Sequence, residues 1–184
     1  MPSLDEGIVQ RVNDLGSARW SGVTYRHVSE GRDPLAGAGA LLFGGRWNPQ
    51  GAFAAVYLAQ PVTACMGELE RLAHSNNVTV EDLLGAGRTL CTIAVHNLPV
   101  LDLRSDEALT QVGLERDDID DEDRSACQAI GQAAHFLNFG GVLAPSASGS
   151  GLVLAAFENR VGPGHLRLST AEPLTYKFYE QSLA

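Results

Sequence analysis

Hydrophobic positions along the chain recur with two periods. Ile8, Val9, Val12 and Leu15 are spaced for one face of a helix over Leu4 to Leu15, and Gly16 follows as its stop. Val23 to Val28 reads as a short strand that carries Tyr25 and Arg26. The glycine- and alanine-rich stretch from Arg32 to Gly45 reads as a loop. The apolar run Ala54 to Ala59 has the length of a buried strand. Pro61 suits the first turn of the next helix, whose stripe is Val62, Cys65, Met66, Leu69, Leu72 and Ala73. Glu68 lies off the middle of that stripe. Gly67 costs such a helix roughly 1 kcal/mol against alanine, which predicts close approach by another backbone there.

Further along, Thr89 to Val95 and Val100 to Leu103 read as two strands. The acidic run Asp117 to Asp123 precedes a helix with Ala126, Cys127, Ile130, Ala133, Ala134 and Leu137 on one face and Gly140 as its stop. Gly141 to Ala144 and Leu152 to Phe157 read as strands around a turn of small residues, and a last strand spans Leu166 to Ser169. Helices and strands mix without regular alternation. That pattern predicts an α+β or irregular α/β domain rather than a doubly wound sheet. A chain of 184 residues is long enough to close a core and is expected to form one domain, 1–184.

Charge narrows the partners. The formal net charge of −9 argues against general binding to nucleic acid or to an anionic membrane. Any anionic ligand would need local positive charge, and that charge is nearly all arginine, since Lys177 is the only lysine. The planar guanidinium fork suits phosphate or carboxylate. Cys65, Cys91 and Cys127 are scattered in apolar stretches, as expected of reduced core thiols. The five histidines lack ligand spacing and no CxxC or HExxH occurs, so no metal site is expected. No signal-like segment or bilayer-length apolar run is apparent, and a cytoplasmic protein is expected.

Several familiar motifs fail. Gly37-Ala38-Gly39 lacks the third glycine and the strand-turn-helix setting of a dinucleotide fingerprint. No GxxxxGK[ST] loop exists, and Gly149-Ser150-Gly151 is not a nucleophile elbow. The acidic run lacks the glycine and terminal glutamate of a calcium loop and reads as a solvated helix start.

What survives is a set of single residues. Arg46 follows Gly44-Gly45, which permits unusual backbone angles and close approach, and Asn48-Pro49 fixes the chain after it. Each member also has a plain structural role open to it. Arg46 would serve equally to clamp a carboxylate or a loop carbonyl, and Glu68 to pair with Arg71 three residues on. Tyr57 would serve as core, Ser146 as a turn residue and Ser125 as a helix cap.

Together these residues match a family. The chain resembles the RES-domain toxins, named for an arginine, a glutamate and a serine. The matching pieces are Tyr25-Arg26, Gly44-Gly45-Arg46-Trp47-Asn48, Tyr57-Leu58-Ala59 and Cys65-Met66-Gly67-Glu68. Ser125 to Gly131 and Gly141 to Ser146 continue the match, which covers nearly the whole length. The resemblance implies a fold similar to ADP-ribosyltransferase toxins, a central split β-sheet flanked by helices. It implies NAD+ as substrate, with no prosthetic group, and toxicity through NAD+ depletion. The acceptor would be phosphate or water. It also implies an antitoxin with an Xre-like DNA-binding part that covers the cleft.

The chemistry suits the residues. Nicotinamide leaves NAD+ as a neutral base, so no general acid is required. On this resemblance one fixed carboxylate, Glu68, would stabilise the oxocarbenium-like transition state and bind ribose hydroxyls. Arg46 and Arg26 would grip phosphate oxygens. Tyr57 would stack on nicotinamide or bond its ribose, with Tyr25 beside Arg26 in the binding set. The family serine falls on either Ser125 or Ser146, orienting ribose or acceptor, because no partner base for a nucleophile is evident. Two other readings stay open: a transferase that places ADP-ribose on a protein or nucleic acid, and a non-catalytic nucleotide-binding module.

Overall fold

The computed structural model describes residues 4–183. Helix α1 (Glu6–Leu15) starts at Asp5, whose carboxylate accepts the Ile8 N–H at 3.0 Å, and stops at Gly16 as the spacing predicts. Strand β1 (Ala18–Ser29) follows, then α2 (Ala38–Phe43), β2 (Ala55–Gln60), α3 (Val62–Ser75) and α4 (Val80–Gly85). Next come β3 (Arg88–Asp102), α5 (Asp106–Val112), α6 (Arg116–Asp120) and α7 (Ser125–Phe136). The chain ends with β4 (Gly141–Pro145), β5 (Leu152–Phe157), a 3-10 turn (Glu158–Arg160), β6 (Leu166–Pro173) and α8 (Tyr176–Ser182).

The strands form one sheet that closes on itself. Long β1 runs antiparallel to β3 from Ala18↔Val100 to Ser29↔Arg88. The end of β3 pairs in parallel with β4, β4 pairs with β5, and β5 pairs with β2. β2 returns to β1 through a single pair, Tyr25↔Ala59. β6 lies on the rest of β3, outside the ring. The expected split central sheet is thus corrected to a five-stranded barrel-like ring with helices around it, because β1 reaches both β2 and β3.

Alternation along the strands sorts the core into layers. Val56 and Leu58 of β2, Leu143 of β4, and Leu154 and Ala156 of β5 point inward with Ile93 and Val95 of β3. Their neighbours Ala55, Val142, Ala144, Ala155 and Phe157 point outward, against Val12 of α1, Leu109 and Val112 of α5, and Ile130 and Ala133 of α7. Helix α3 packs Ala64, Cys65, Met66 and Leu69 over Ala59 and Tyr25.

Some sequence expectations change. The two strands over Thr89 to Val95 and Val100 to Leu103 are one strand, β3. Asn97 takes a left-handed backbone (φ 49°), its N–H donates to Ser21 Oγ, and a bulge between Trp20 and Gly22 of β1 absorbs the irregularity. The loop from Arg32 to Gly45 contains short α2. Strand β1 starts before Val23, and β6 runs past Ser169 to Pro173, because both follow β3 along its length. Helix α7 ends at Phe136, short of Gly140, with Asn138 in the left-handed conformation at φ 62°. Among the described residues no helix is long and apolar enough to cross a membrane.

Candidate active site

A cleft of about 500 Å³ opens where β1 and β2 separate, and α3 and the Gly44–Asn48 loop close its sides. Arg26, Arg46, Arg71 and Arg124 line it, with Glu68 as its one acidic residue. The ion pairs among the described residues are Arg104–Asp102 and Arg116–Asp106, so none of the four cleft arginines is neutralised by a carboxylate. An acidic chain therefore keeps a positive hollow at this place.

The loop that carries Arg46 is pinned from several directions. Gly45 N–H donates to the Asn48 carbonyl at 2.9 Å, and Gln128 Nε2 donates to the Gly45 carbonyl at 2.9 Å. Asn48 is fully buried; its Nδ2 donates to the carbonyls of Ala40 and Phe53. Tyr57 Oη donates to Asn48 Oδ1 at 2.8 Å and accepts the Trp47 N–H at 2.9 Å. A Cβ added at Gly45 would lie 2.3 Å from that phenol oxygen, which explains the second glycine. Burial pushes the Tyr57 phenol above its ordinary pKa, and it stays protonated. Arg46 Nη1 donates to the Asp118 carbonyl at 3.2 Å, so the loop-carbonyl clamp is real, and Arg46 also lines the cleft.

Glu68 is partly buried on α3, and Ser146 Oγ donates to its Oε1 at 3.2 Å. Ser146 is buried and also pairs with Ser148 Oγ at 2.7 Å. Gly67 makes room for this turn: a Cβ there would lie 2.8 Å from Ser148 Cβ and Oγ, so what approaches is a side chain and not the expected backbone. Arg71 does not pair with Glu68 but donates to the Ala147 carbonyl.

The remaining candidates divide. Tyr25, Arg26 and Tyr57 line the same cleft as Arg46 and Glu68. Arg26 Nη1 is committed to the carbonyls of Pro34 and Ala36, at 2.5 and 3.1 Å, and burial lowers its pKa. Ser146 stands behind Glu68 and outside the lining. Ser125 is exposed at the start of α7, next to cleft-lining Arg124; its N–H donates to Asp123, and Arg124, not Ser125, occupies the cap position. His27 and Arg124 line the cleft without having been named from the sequence, and Arg71, named there only as a partner for Glu68, lines it too. Only the i, i+2 alternation from Tyr25 to His27 offered a signal for any of them.

Cys65, Cys91 and Cys127 are buried in the core, and burial pushes the Cys65 thiol up to about 12 and that of Cys127 to about 11. They are not thiolate nucleophiles. Among the described residues no cluster of three or more His, Cys, Asp or Glu is placed to hold a metal ion.

The closed sheet and its arginine-lined cleft define a single mixed α/β domain with a positively charged hollow. Residues 19–177 match the RES domain, and the chain belongs to that family. The NAD(+) phosphorylases MbcT of Mycobacterium tuberculosis (strain ATCC 25618 / H37Rv) and Mycobacterium bovis (strain ATCC BAA-935 / AF2122/97) are each 49% identical over 179 residues, 97% of this chain and 96% of theirs. The crystal structure of the M. tuberculosis MbcT-MbcA toxin-antitoxin complex contains a chain similar to this one, with a TM-score of 0.91 at 49% identity, covering 97% of this chain and 98% of that one.

Proposed function

We propose that this protein is the toxin of a toxin–antitoxin pair and an NAD+ phosphorylase. The observation that carries it is one cleft holding Arg46 and Glu68 in a chain 49% identical, over 97% of its length, to NAD(+) phosphorylases. The bond between nicotinamide and ribose C1′ breaks, and nicotinamide leaves as a neutral base with the bonding electrons. A phosphate oxygen then forms the new bond to C1′. The products are nicotinamide and ADP-ribose 1″-phosphate.

In this reading Glu68 faces the positive charge that grows on the ribose. Ser146 holds that carboxylate, and Gly67 lets it do so. Arg46 anchors the diphosphate, helped by the guanidinium atoms of Arg26 that the Pro34 and Ala36 carbonyls leave free. Tyr57 offers its ring face, since its hydroxyl is used within the loop. Tyr25 borders the nicotinamide side. Ser125 and Arg124, at the N-terminus of α7, receive the acceptor phosphate. A fold like that of ADP-ribosyltransferase toxins belongs to the same reading. An antitoxin with an Xre-like part covers the cleft.

The test is to incubate the purified protein with NAD+, with and without inorganic phosphate, and to follow nicotinamide and the sugar product. Phosphate-dependent release is expected, and Glu68→Gln should slow it on the order of 10²-fold. Release that ignores phosphate would mean hydrolysis, and label on macromolecules a transferase. An inert protein would leave only the binding module.

A further inference from the structure

His27 lines the cleft from β1, on the same face of the strand as Tyr25. Its Nδ1 lies 3.1 Å from Arg88 Nη1 of β3. Arginine carries only N–H donors at any accessible pH, so Nδ1 must be the acceptor. The ring proton is therefore on Nε2. Among the described residues Nε2 has no partner within the chain, and it is not one of the buried atoms left unpaired. Nε2 is thus reachable by solvent, on a residue that lines the cleft. Burial, with the positive charges of Arg88 and Arg26 adding to it, pushes the imidazole down to about 3, so the ring is neutral at pH 7.

We propose that His27 is a substrate-binding residue that donates Nε2–H to an uncharged oxygen on the nicotinamide riboside half of NAD+, and that Arg88 is the positioning residue that fixes its tautomer. This rests on the NAD+ reading above. The Glu68 side of the cleft is favoured because Cys65, one turn before Glu68 on α3, lines the cleft together with His27 and Glu68. A neutral donor fits that half. The nicotinamide ring is cationic before the bond breaks and the ribose is cationic in the transition state, so an imidazolium there would repel both. A carboxamide carbonyl or a ribose hydroxyl accepts from a neutral N–H without that penalty. Arg88 stands behind the ring and away from the substrate, among the residues of a second hollow between α4, β6 and α8.

The test has two arms. In kinetics, His27→Phe keeps a planar ring and loses the donor, and is expected to raise KM for NAD+ about three- to tenfold, the loss of one neutral hydrogen bond. KM for phosphate should stay unchanged, and His27→Gln, which keeps an N–H near the Nε2 position, should recover most of the effect. In nitrogen-15 ring spectra of the wild-type protein, His27 should carry its proton on Nε2, and that signal should shift when a carbocyclic, uncleavable NAD+ analogue is added. Arg88→Met should yield a mixture of tautomers with a similar rise in KM. An unchanged KM in His27→Phe, a proton on Nδ1, or no shift with the analogue overturns the proposal, even if a variant folds poorly. Wild-type protein that releases no nicotinamide would instead sink the NAD+ reading, and this assignment with it.

Discussion

Removing one oxygen from Tyr57 separates two jobs of that side chain. Tyr57→Phe keeps the ring in the cleft wall but leaves the Trp47 N–H and buried Asn48 Oδ1 without their partner. Each unpaired group costs about 1–3 kcal/mol, so melting should fall by several degrees, while nicotinamide release at 25 °C stays within a few-fold of wild type. Thermal unfolding and turnover, measured together, check this; a large loss of turnover with no loss of stability would return the hydroxyl to the substrate. Glycine pairs and an off-stripe position drew attention to Arg46 and Glu68, but each kept a plain structural role until the family resemblance joined them with Tyr57. Local reasoning missed Arg71 and Arg124 as cleft residues for a physical reason. The carbonyl partner of Arg71 and the cleft that both line come from strands and turns distant in the chain, and their spacing alone fits ordinary surface pairs.

Helix α3 and the turn after β4 act as one unit. Gly67→Ala should gain about 1 kcal/mol of helix propensity, yet its new Cβ would press on Ser148 at 2.8 Å. The turn must retreat and take Ser146 away from Glu68. We expect near-neutral thermal stability and a several-fold loss of kcat, read from melts and nicotinamide release on the same preparation. Equal kcat would mean that the Ser146 contact does not position the carboxylate. Elements with an unbroken apolar pattern were legible: α1, α3, α7, β2 and β5 follow their apolar spacing. Helices α4, α5, α6 and α8 are short, and only caps such as Thr79, Ser105 and Thr175 signal them. The continuity of β3 escaped detection because Asn97 and Pro99 look like a break until β1 is laid beside them.

For the whole molecule, acid is the informative perturbation. His27 is neutral in the folded protein down to about 3, against an ordinary value near 6.5, so the unfolded chain binds a proton that the native state refuses. Stability from this group is present above pH 6.5 and is lost as pH falls toward 3. It amounts to on the order of 2–3 kcal/mol by pH 4.5. His135, also lowered by burial, adds in the same direction. Asp102, held down by Arg104, contributes above its unfolded value near 4, so its share is lost only at lower pH. Melting temperatures from pH 7.5 to 4.5 should therefore fall, and His27→Gln should flatten that slope; parallel slopes would show that His27 titrates normally. The sheet closure was not legible in the sequence, since it depends on one strand, β1, touching two partners.

That closure is uneven. Every junction of the ring but one is held by several residue pairs, while β1 and β2 meet only at Tyr25↔Ala59. A zip with one tooth breathes. Amides beside it should exchange with solvent sooner than those of β4 and β5, and an occupant spanning Arg26 and Tyr57 would latch the two sides. On the proposed NAD+ reading, the protein would then be loosest where a dinucleotide enters and tightest once it is seated.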